Sequence, residues 1–180
     1  MKNFQLIRDA IDVSPYLQEI ASVPNAWDLN SGRKDKIKVQ READAIPIRG
    51  MRKSMANGRK PRDVHESRFT NTSKKFPKIR ELLVSIADEL DSELSRAKVV
   101  RLPPGGKVYS HIDRGEYYRE RDRYHLVLQT SPGNTLTCAD ETLHMRVGEL
   151  WWFDNKKDHA AENASEEDRI HFIFDLLKRQ

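Results

Sequence analysis

An imidazole and a carboxylate stand two residues apart in His111-Ile-Asp113, at the end of the run Arg101-Leu-Pro-Pro-Gly-Gly-Lys-Val-Tyr-Ser. Side chains on a β-strand alternate with period two, so His111 and Asp113 share one face while Ile112 turns toward apolar packing on the other. Joined by a second imidazole from a distant strand, such a pair forms a 2-His-1-carboxylate triad, which binds Fe(II) and leaves three positions for a co-substrate and dioxygen. The same spacing also occurs at the ends of exposed strands. The rest of the chain has to decide between the two.

Two later segments carry more polar groups of the same kind. In Arg123-Tyr-His-Leu-Val-Leu-Gln129, Tyr124, Leu126 and Leu128 fall on one face, with Arg123 and His125 on the other. Asp168 to Asp175 repeats the pattern, with Ile170, Phe172 and Phe174 opposite Arg169, His171 and Asp175. An antiparallel sheet with its polar face in water would read this way. So would a barrel whose lumen is polar and whose outer apolar faces are covered by helices. In the barrel, His111, Asp113, Arg123, His125 and Arg169 converge, and two guanidinium groups beside a metal suit a dicarboxylate, which Arg pairs bidentately.

The elements that must hold these residues are mostly short strands. Turn residues at Pro103-Pro104-Gly105-Gly106 and Ser131-Pro132-Gly133-Asn134 separate alternating runs at 97–102, 107–113, 123–129, 135–138, 143–146, 149–154, 158–163 and 168–177. Eight strands at this spacing predict a mainly β fold with flanking helices, its core a double-sheet jelly roll of the double-stranded β-helix, cupin-like kind. Neither turn continues as a phosphate-binding loop. Before this core, 4–7 reads as a short strand, and Ser14-Pro15 opens a helix to residue 23 with Ser14 as N-cap and Pro15 at N1. Residues 36–40 and 45–49 read as flanking strands, with Pro47 placing the second at an edge. The stretch 50–73 is polar and lacks apolar periodicity, as expected of a long loop. Phe76, Ile79, Leu82, Leu83, Ile86 and Leu90 then mark one face of a helix over 76–93.

Composition narrows the class. The 180 residues fit one domain, 1–180, with flanking elements in 1–95 and the jelly-roll core in 96–177. A single cysteine, Cys138, excludes an internal disulfide. No apolar run approaches the roughly 20 residues that a spanning helix needs, so no membrane partner is expected and the location is read as cytoplasmic. The net charge of +4 is unevenly placed: residues 31–80 hold 16 Lys+Arg against 5 Asp+Glu, a net of +11. This basic segment is expected to act as a lid steering an anionic substrate. Nucleic acid is the weaker candidate partner, because the segment lacks the regularly interleaved aromatics of a single-strand binding groove.

From about Ala97 to Leu177 the chain resembles the aspartyl/asparaginyl β-hydroxylases, a family of Fe(II) and 2-oxoglutarate dependent dioxygenases that includes bacterial cis-proline hydroxylases. The resemblance rests on the Pro-Gly turn before His111, Arg123-Tyr-His125-Leu, Cys138-Ala-Asp-Glu-Thr, Gly148-Glu followed by Phe153-Asp154, His159, and Arg169 with Asp175. It implies that His111 and His159 bind iron, that Arg169 holds the far carboxylate of 2-oxoglutarate, and that Arg123 and His125 help place this co-substrate. With Asp113, which the animal aspartyl hydroxylases replace by glycine, the expected metal site is His111, Asp113 and His159. His171 is expected to fill the lumen beside it, and His65 and His144 to be exposed. The implied reaction uses O2 to hydroxylate an unactivated C–H of an amino-acid side chain, free or in a peptide, releasing succinate and CO2.

Overall fold

The computed structural model describes residues 1–29 and 40–179. Its elements in chain order are β1 (Phe4–Arg8), α1 (Ser14–Ser22), β2 (Asp44–Gly50), β3 (Arg68–Phe69), α2 (Pro77–Glu89), β4 (Ser92–Leu102) and β5 (Lys107–His111). They continue with α3 (Glu116–Arg119), β6 (Asp122–Gln129), β7 (Asn134–Cys138), β8 (Glu141–Leu143), β9 (Leu150–Phe153), β10 (His159–Asn163) and β11 (Arg169–Lys178). Among the described residues the strands form two antiparallel sheets, ordered β1-β9-β6-β11-β4-β2-β3 and β5-β10-β7-β8. This is the expected double-sheet jelly roll. No helix among the described residues is long and apolar enough to cross a membrane.

The alternation in β6 and β11 is resolved in favour of a polar lumen. Leu126, Leu128, Ile170, Phe172 and Phe174 face outward and are buried under Ile20 of α1 and Ile79, Leu82, Leu83 and Ile86 of α2. Arg123, His125, Arg169, His171 and Asp175 turn inward, and all are buried. A sheet with its polar face in water would have left them exposed. The lumen also has an apolar wall, in which Val127, Leu136, Cys138, Trp151, Phe153 and Ala161 pack together.

Several boundaries differ from the sequence reading, each for a local reason. The α1 N-cap is Val13 rather than Ser14, and Asp12 Oδ1 accepts bonds from both the Ser14 amide (3.0 Å) and its hydroxyl (2.6 Å). Helix α2 stops at Glu89, not at 93, because Asp91 takes a left-handed conformation (φ 45°) and Ser92 already pairs with Lys178. Its first amides are capped from another element: Glu19 of α1, itself buried, accepts from Lys78 N at 2.8 Å and Ile79 N at 3.0 Å. A carboxylate there satisfies orphan donors and complements the helix dipole. Strand β8 lies at 141–143 instead of 143–146, and β5 ends at His111, short of Asp113.

The basic segment is described only in part. Of the strand expected at 36–40, all but Gln40 lies outside the described residues. Strand β2 forms as expected, but it lies between β4 and β3 rather than at the sheet edge; β3 meets it only at Arg49 and Gly50, and the Pro47 carbonyl accepts from the Thr70 hydroxyl at 2.7 Å. The stretch 50–73 is irregular, as expected, and is organised as 3-10 turns at Lys53–Met55, Pro61–Asp63 and Thr72–Lys75 around the two residues of β3.

Candidate metal centre

The site lies where the smaller sheet closes over the lumen of the larger one. His111 ends β5 and His159 begins β10, and the two are direct partners across the strands, with ring centroids 4.3 Å apart. Asp113 sits just beyond β5, fixed by the hydrogen bond its backbone N–H donates to the Asn155 carbonyl (3.2 Å). Asp113 Oδ1 is 4.0 Å from His111 Nε2, and Oδ2 is 4.0 Å from His159 Nε2. One ligand atom from each residue can be chosen so that all lie within 4.8 Å of one another. His111, Asp113 and His159 thus come together as expected, although Asp113 reaches the face from a loop.

The tautomers follow from backbone partners. His111 Nδ1 lies 2.7 Å from the carbonyl of Tyr109, and His159 Nδ1 lies 2.9 Å from that of Lys157. A carbonyl only accepts, so each Nδ1 carries the proton and each Nε2 offers a lone pair toward Asp113. Orientation of a ligating imidazole through its other nitrogen is the usual arrangement around a metal. Burial pushes the His159 pKa down to about 4, which keeps the ring neutral near pH 7. Burial is the largest single influence on Asp113 and works to raise its pKa, but the Arg123 guanidinium, the Asn155 hydrogen bond and the neighbouring groups together outweigh it, and the carboxyl lies below its usual range. Two neutral imidazoles and one carboxylate make a donor set that fits Fe(II).

Behind this set is a buried ionic chain. Arg123 donates through Nη1 to Asp113 Oδ2, and through Nε and Nη2 to the two oxygens of Asp175 at 2.8 and 3.1 Å. Asn155 Nδ2 adds a second bond to Asp113 Oδ2 at 3.0 Å, and the Tyr117 hydroxyl donates to Asp175 Oδ2 at 3.0 Å. Arg123 is therefore a bridge between two carboxylates as well as part of the lumen wall. Asn155 and Tyr117 escaped the sequence reading because neither lies on a strand of alternating character. The only hint for Asn155 was its place in the turn before His159.

The lumen beside the triad is lined by Lys98, His111, Arg123, His125, His159 and Arg169, among others. Arg169 is 3% exposed, and its guanidinium has no hydrogen-bond or salt-bridge partner among the described residues. Burial lowers its pKa to about 10, so it remains charged near neutrality. A buried cation without a counter-charge is costly and favours an incoming anion. His125 and His171 sit with Nδ1 atoms 3.3 Å apart, and burial, reinforced by the Arg169 guanidinium, drives both pKa values well below the ordinary imidazole range. Two neutral rings can share one N–H at that distance. The group able to hold a metal, among the described residues, is His111, Asp113 and His159, and His171 is outside it. His65 bonds Glu120 and Arg121, and His144 bonds the Asn134 carbonyl, so neither joins the site.

The chain is 32% identical over 107 residues to L-proline cis-4-hydroxylase of Rhizobium meliloti (strain 1021), a match covering 59% of this chain and 38% of that protein. It is 32% identical over 106 residues to L-proline cis-3-hydroxylase 2 of Streptomyces sp, covering 55% and 36%. The matched region is thus well under half the length of these relatives. A structure of an oxidoreductase of the 2OG-Fe(II) oxygenase family from Burkholderia pseudomallei superposes with TM-score 0.55 at 8% identity, over 93% of this chain and 90% of that one, which shows a shared fold. The sequence profile of the Aspartyl/Asparaginyl beta-hydroxylase family matches residues 53–179, a span that holds His111, Asp113 and His159 and most of the chain. The chain belongs to the aspartyl/asparaginyl β-hydroxylase family.

Proposed function

We propose that this chain is a single-domain Fe(II) and 2-oxoglutarate dependent hydroxylase acting on an amino acid. The observation that carries the reading is the convergence of His111, Asp113 and His159 beside a lumen lined by Arg169, whose cation has no partner among the described residues. Bound iron, with 2-oxoglutarate and O2, supplies the oxidising power to convert C–H to C–OH while 2-oxoglutarate becomes succinate and CO2.

The protein's part is to hold and orient. His111 and His159 present Nε2 because their Nδ1 protons are committed to backbone carbonyls. Arg123 and Asn155 keep Asp113 ionised and correctly turned. Arg169 meets the far carboxylate of 2-oxoglutarate inside the lumen, where a charge pair is strong because water is excluded. His125, neutral and beside Arg169 and Phe153, offers a hydrogen-bonding nitrogen without adding charge. The inner chamber is tight, with about 40 Å³ of free space, so side chains lining it must shift as a dicarboxylate enters. The names of the relatives, L-proline cis-hydroxylases, support a small amino-acid substrate.

The test is a panel of free and peptide-bound amino acids, loaded anaerobically with Fe(II) and 2-oxoglutarate and then exposed to oxygen. One panel member should gain the mass of one oxygen atom, with succinate formed in equal amount. No 2-oxoglutarate turnover under any condition, in protein shown to hold iron, would contradict the reading.

A further inference from the structure

A second cavity opens on the other side of Arg123 from the lumen, and nothing in the metal centre accounts for its charge. It shares Lys98, Arg123 and Ile173 with the lumen, and its own walls include Arg49, Arg96, Tyr118 and Asp175. Its free space is about 270 Å³, enough for a ligand the size of an amino acid. Among the described residues its wall thus carries Arg49, Arg96, Lys98 and Arg123 and one carboxylate. That carboxylate, Asp175, is already engaged by Arg123 and by the Tyr117 hydroxyl.

The two arginines particular to this cavity are fixed without any acidic partner among the described residues. Arg49 donates from Nε to the Ser95 carbonyl (2.9 Å) and from Nη2 to the Ser67 carbonyl (3.0 Å), and its guanidinium lies 4.7 Å from the Phe69 ring centre. Arg96 donates from Nη2 to the carbonyls of Pro61 (2.7 Å) and Val64 (2.8 Å) and stacks 3.9 Å from the Tyr117 ring centre. In both, Nη1 has no acceptor among the described residues, and neither atom is sealed from solvent. The Tyr118 hydroxyl likewise has no partner among the described residues and is not sealed. Backbone carbonyls position these groups but leave their charge uncompensated. Planar donors held in place in advance lose little entropy on meeting a carboxylate.

We propose that this cavity is the substrate subsite and that it recognises a carboxylate through Arg49, Arg96 and Tyr118, so that the substrate is an acid, bound across Arg123 from the iron ligands. The word substrate rests on the hydroxylase reading; the carboxylate site does not. The carboxylate can be the α-carboxylate of a free amino acid or an acidic side chain, and matched pairs of probes separate these sources.

The experiment titrates L-proline against L-prolinamide and N-acetyl-L-aspartate amide against N-acetyl-L-asparagine amide. Calorimetry follows each, with and without Fe(II) and 2-oxoglutarate under argon. At least one acid should bind ten-fold or more tightly than its amide. A gain confined to L-proline identifies the α-carboxylate, and one confined to the aspartate derivative identifies a side chain. Arg49→Met should cost the acid about 10- to 100-fold, as expected for a charge-assisted hydrogen bond, and leave the amide unchanged. Tyr118→Phe, which removes no bond that the fold uses, should cost about 3- to 10-fold and covers the case in which the Arg49 variant does not fold. Uptake of 2-oxoglutarate should be unaltered in both variants. Equal binding of acids and amides, binding of neither, or an acid preference untouched by the substitutions would overturn the subsite. Absence of 2-oxoglutarate uptake by the unaltered, iron-loaded chain would strike the hydroxylase reading instead.

Discussion

Replacing Asp175 by Asn tests whether the buried chain behind the metal centre acts as described. Asp175 is 3% exposed and accepts from Arg123 Nε, Arg123 Nη2 and the Tyr117 hydroxyl at 2.8 to 3.1 Å. Asn keeps the shape, removes the charge and turns one acceptor into a donor facing Arg123. Removing one partner of a buried ion pair costs about 3–5 kcal/mol, and the surviving pair with Asp113 places this case near the lower end, at roughly 3 kcal/mol. For a chain of this size that corresponds to a fall in Tm of roughly 6–12 °C. The guanidinium, no longer shared, then draws the whole of its counter-charge from Asp113 and competes with a metal for it. Loss of a group that orients a ligand typically weakens metal affinity by about 10- to 100-fold. Thermal unfolding followed by circular dichroism, together with anaerobic Fe(II) titration, reads both effects. A Tm within about 2 °C of the parent and an unchanged iron affinity would refute the shared-charge argument.

Arg169→Met should weaken 2-oxoglutarate by about 30-fold or more, since a buried charge pair loses one partner, while iron content stays the same; an unchanged 2-oxoglutarate titration midpoint would argue against the role given to Arg169. In metal-free protein, His159 has a folded pKa of about 4 against about 6.5 unfolded. Its contribution is therefore constant above about pH 6.5, falls as the pH drops through that value, and levels off only below about pH 4, a loss of about 3 kcal/mol. His125 and His171 shift in the same direction and steepen the fall. Urea midpoints at pH 7 and pH 4.5 should differ accordingly, and the His159→Gln variant should show a shallower difference. Gly115→Ala should destabilise by about 1–3 kcal/mol in urea, because Gly115 has φ +118° and an added Cβ would run into the backbone carbonyl of Arg62.

The sequence disclosed the lumen before it disclosed the site. The period-two alternation of β6 and β11 left two outcomes open, and the covering faces of α1 and α2 decide between them. His111 and Asp113 were legible from spacing, but the turn that carries Asp113 past the end of β5 was not, because it depends on a bond to Asn155 from another loop. His159 came through family resemblance, since nothing local distinguishes it from His171; the pairing of His159 with His111 across strands does. The double role of Arg123 was invisible for a related reason: it requires the register that sets Arg123 beside Asp175. Arg49 and Arg96 read as members of a basic surface, and only the folded chain shows them clamped by carbonyls around a cavity. Side-chain types and alternation survive in one dimension, whereas strand register and loop-to-loop bonds do not.

The most direct test of the metal centre is an anaerobic Fe(II) titration of the parent chain, His159→Ala and His171→Ala, with circular dichroism to confirm that each is folded. The account predicts one equivalent of iron in the parent and in His171→Ala, and none held stoichiometrically by His159→Ala. Retention of iron by His159→Ala with its loss from His171→Ala would contradict the assignment of His111, Asp113 and His159.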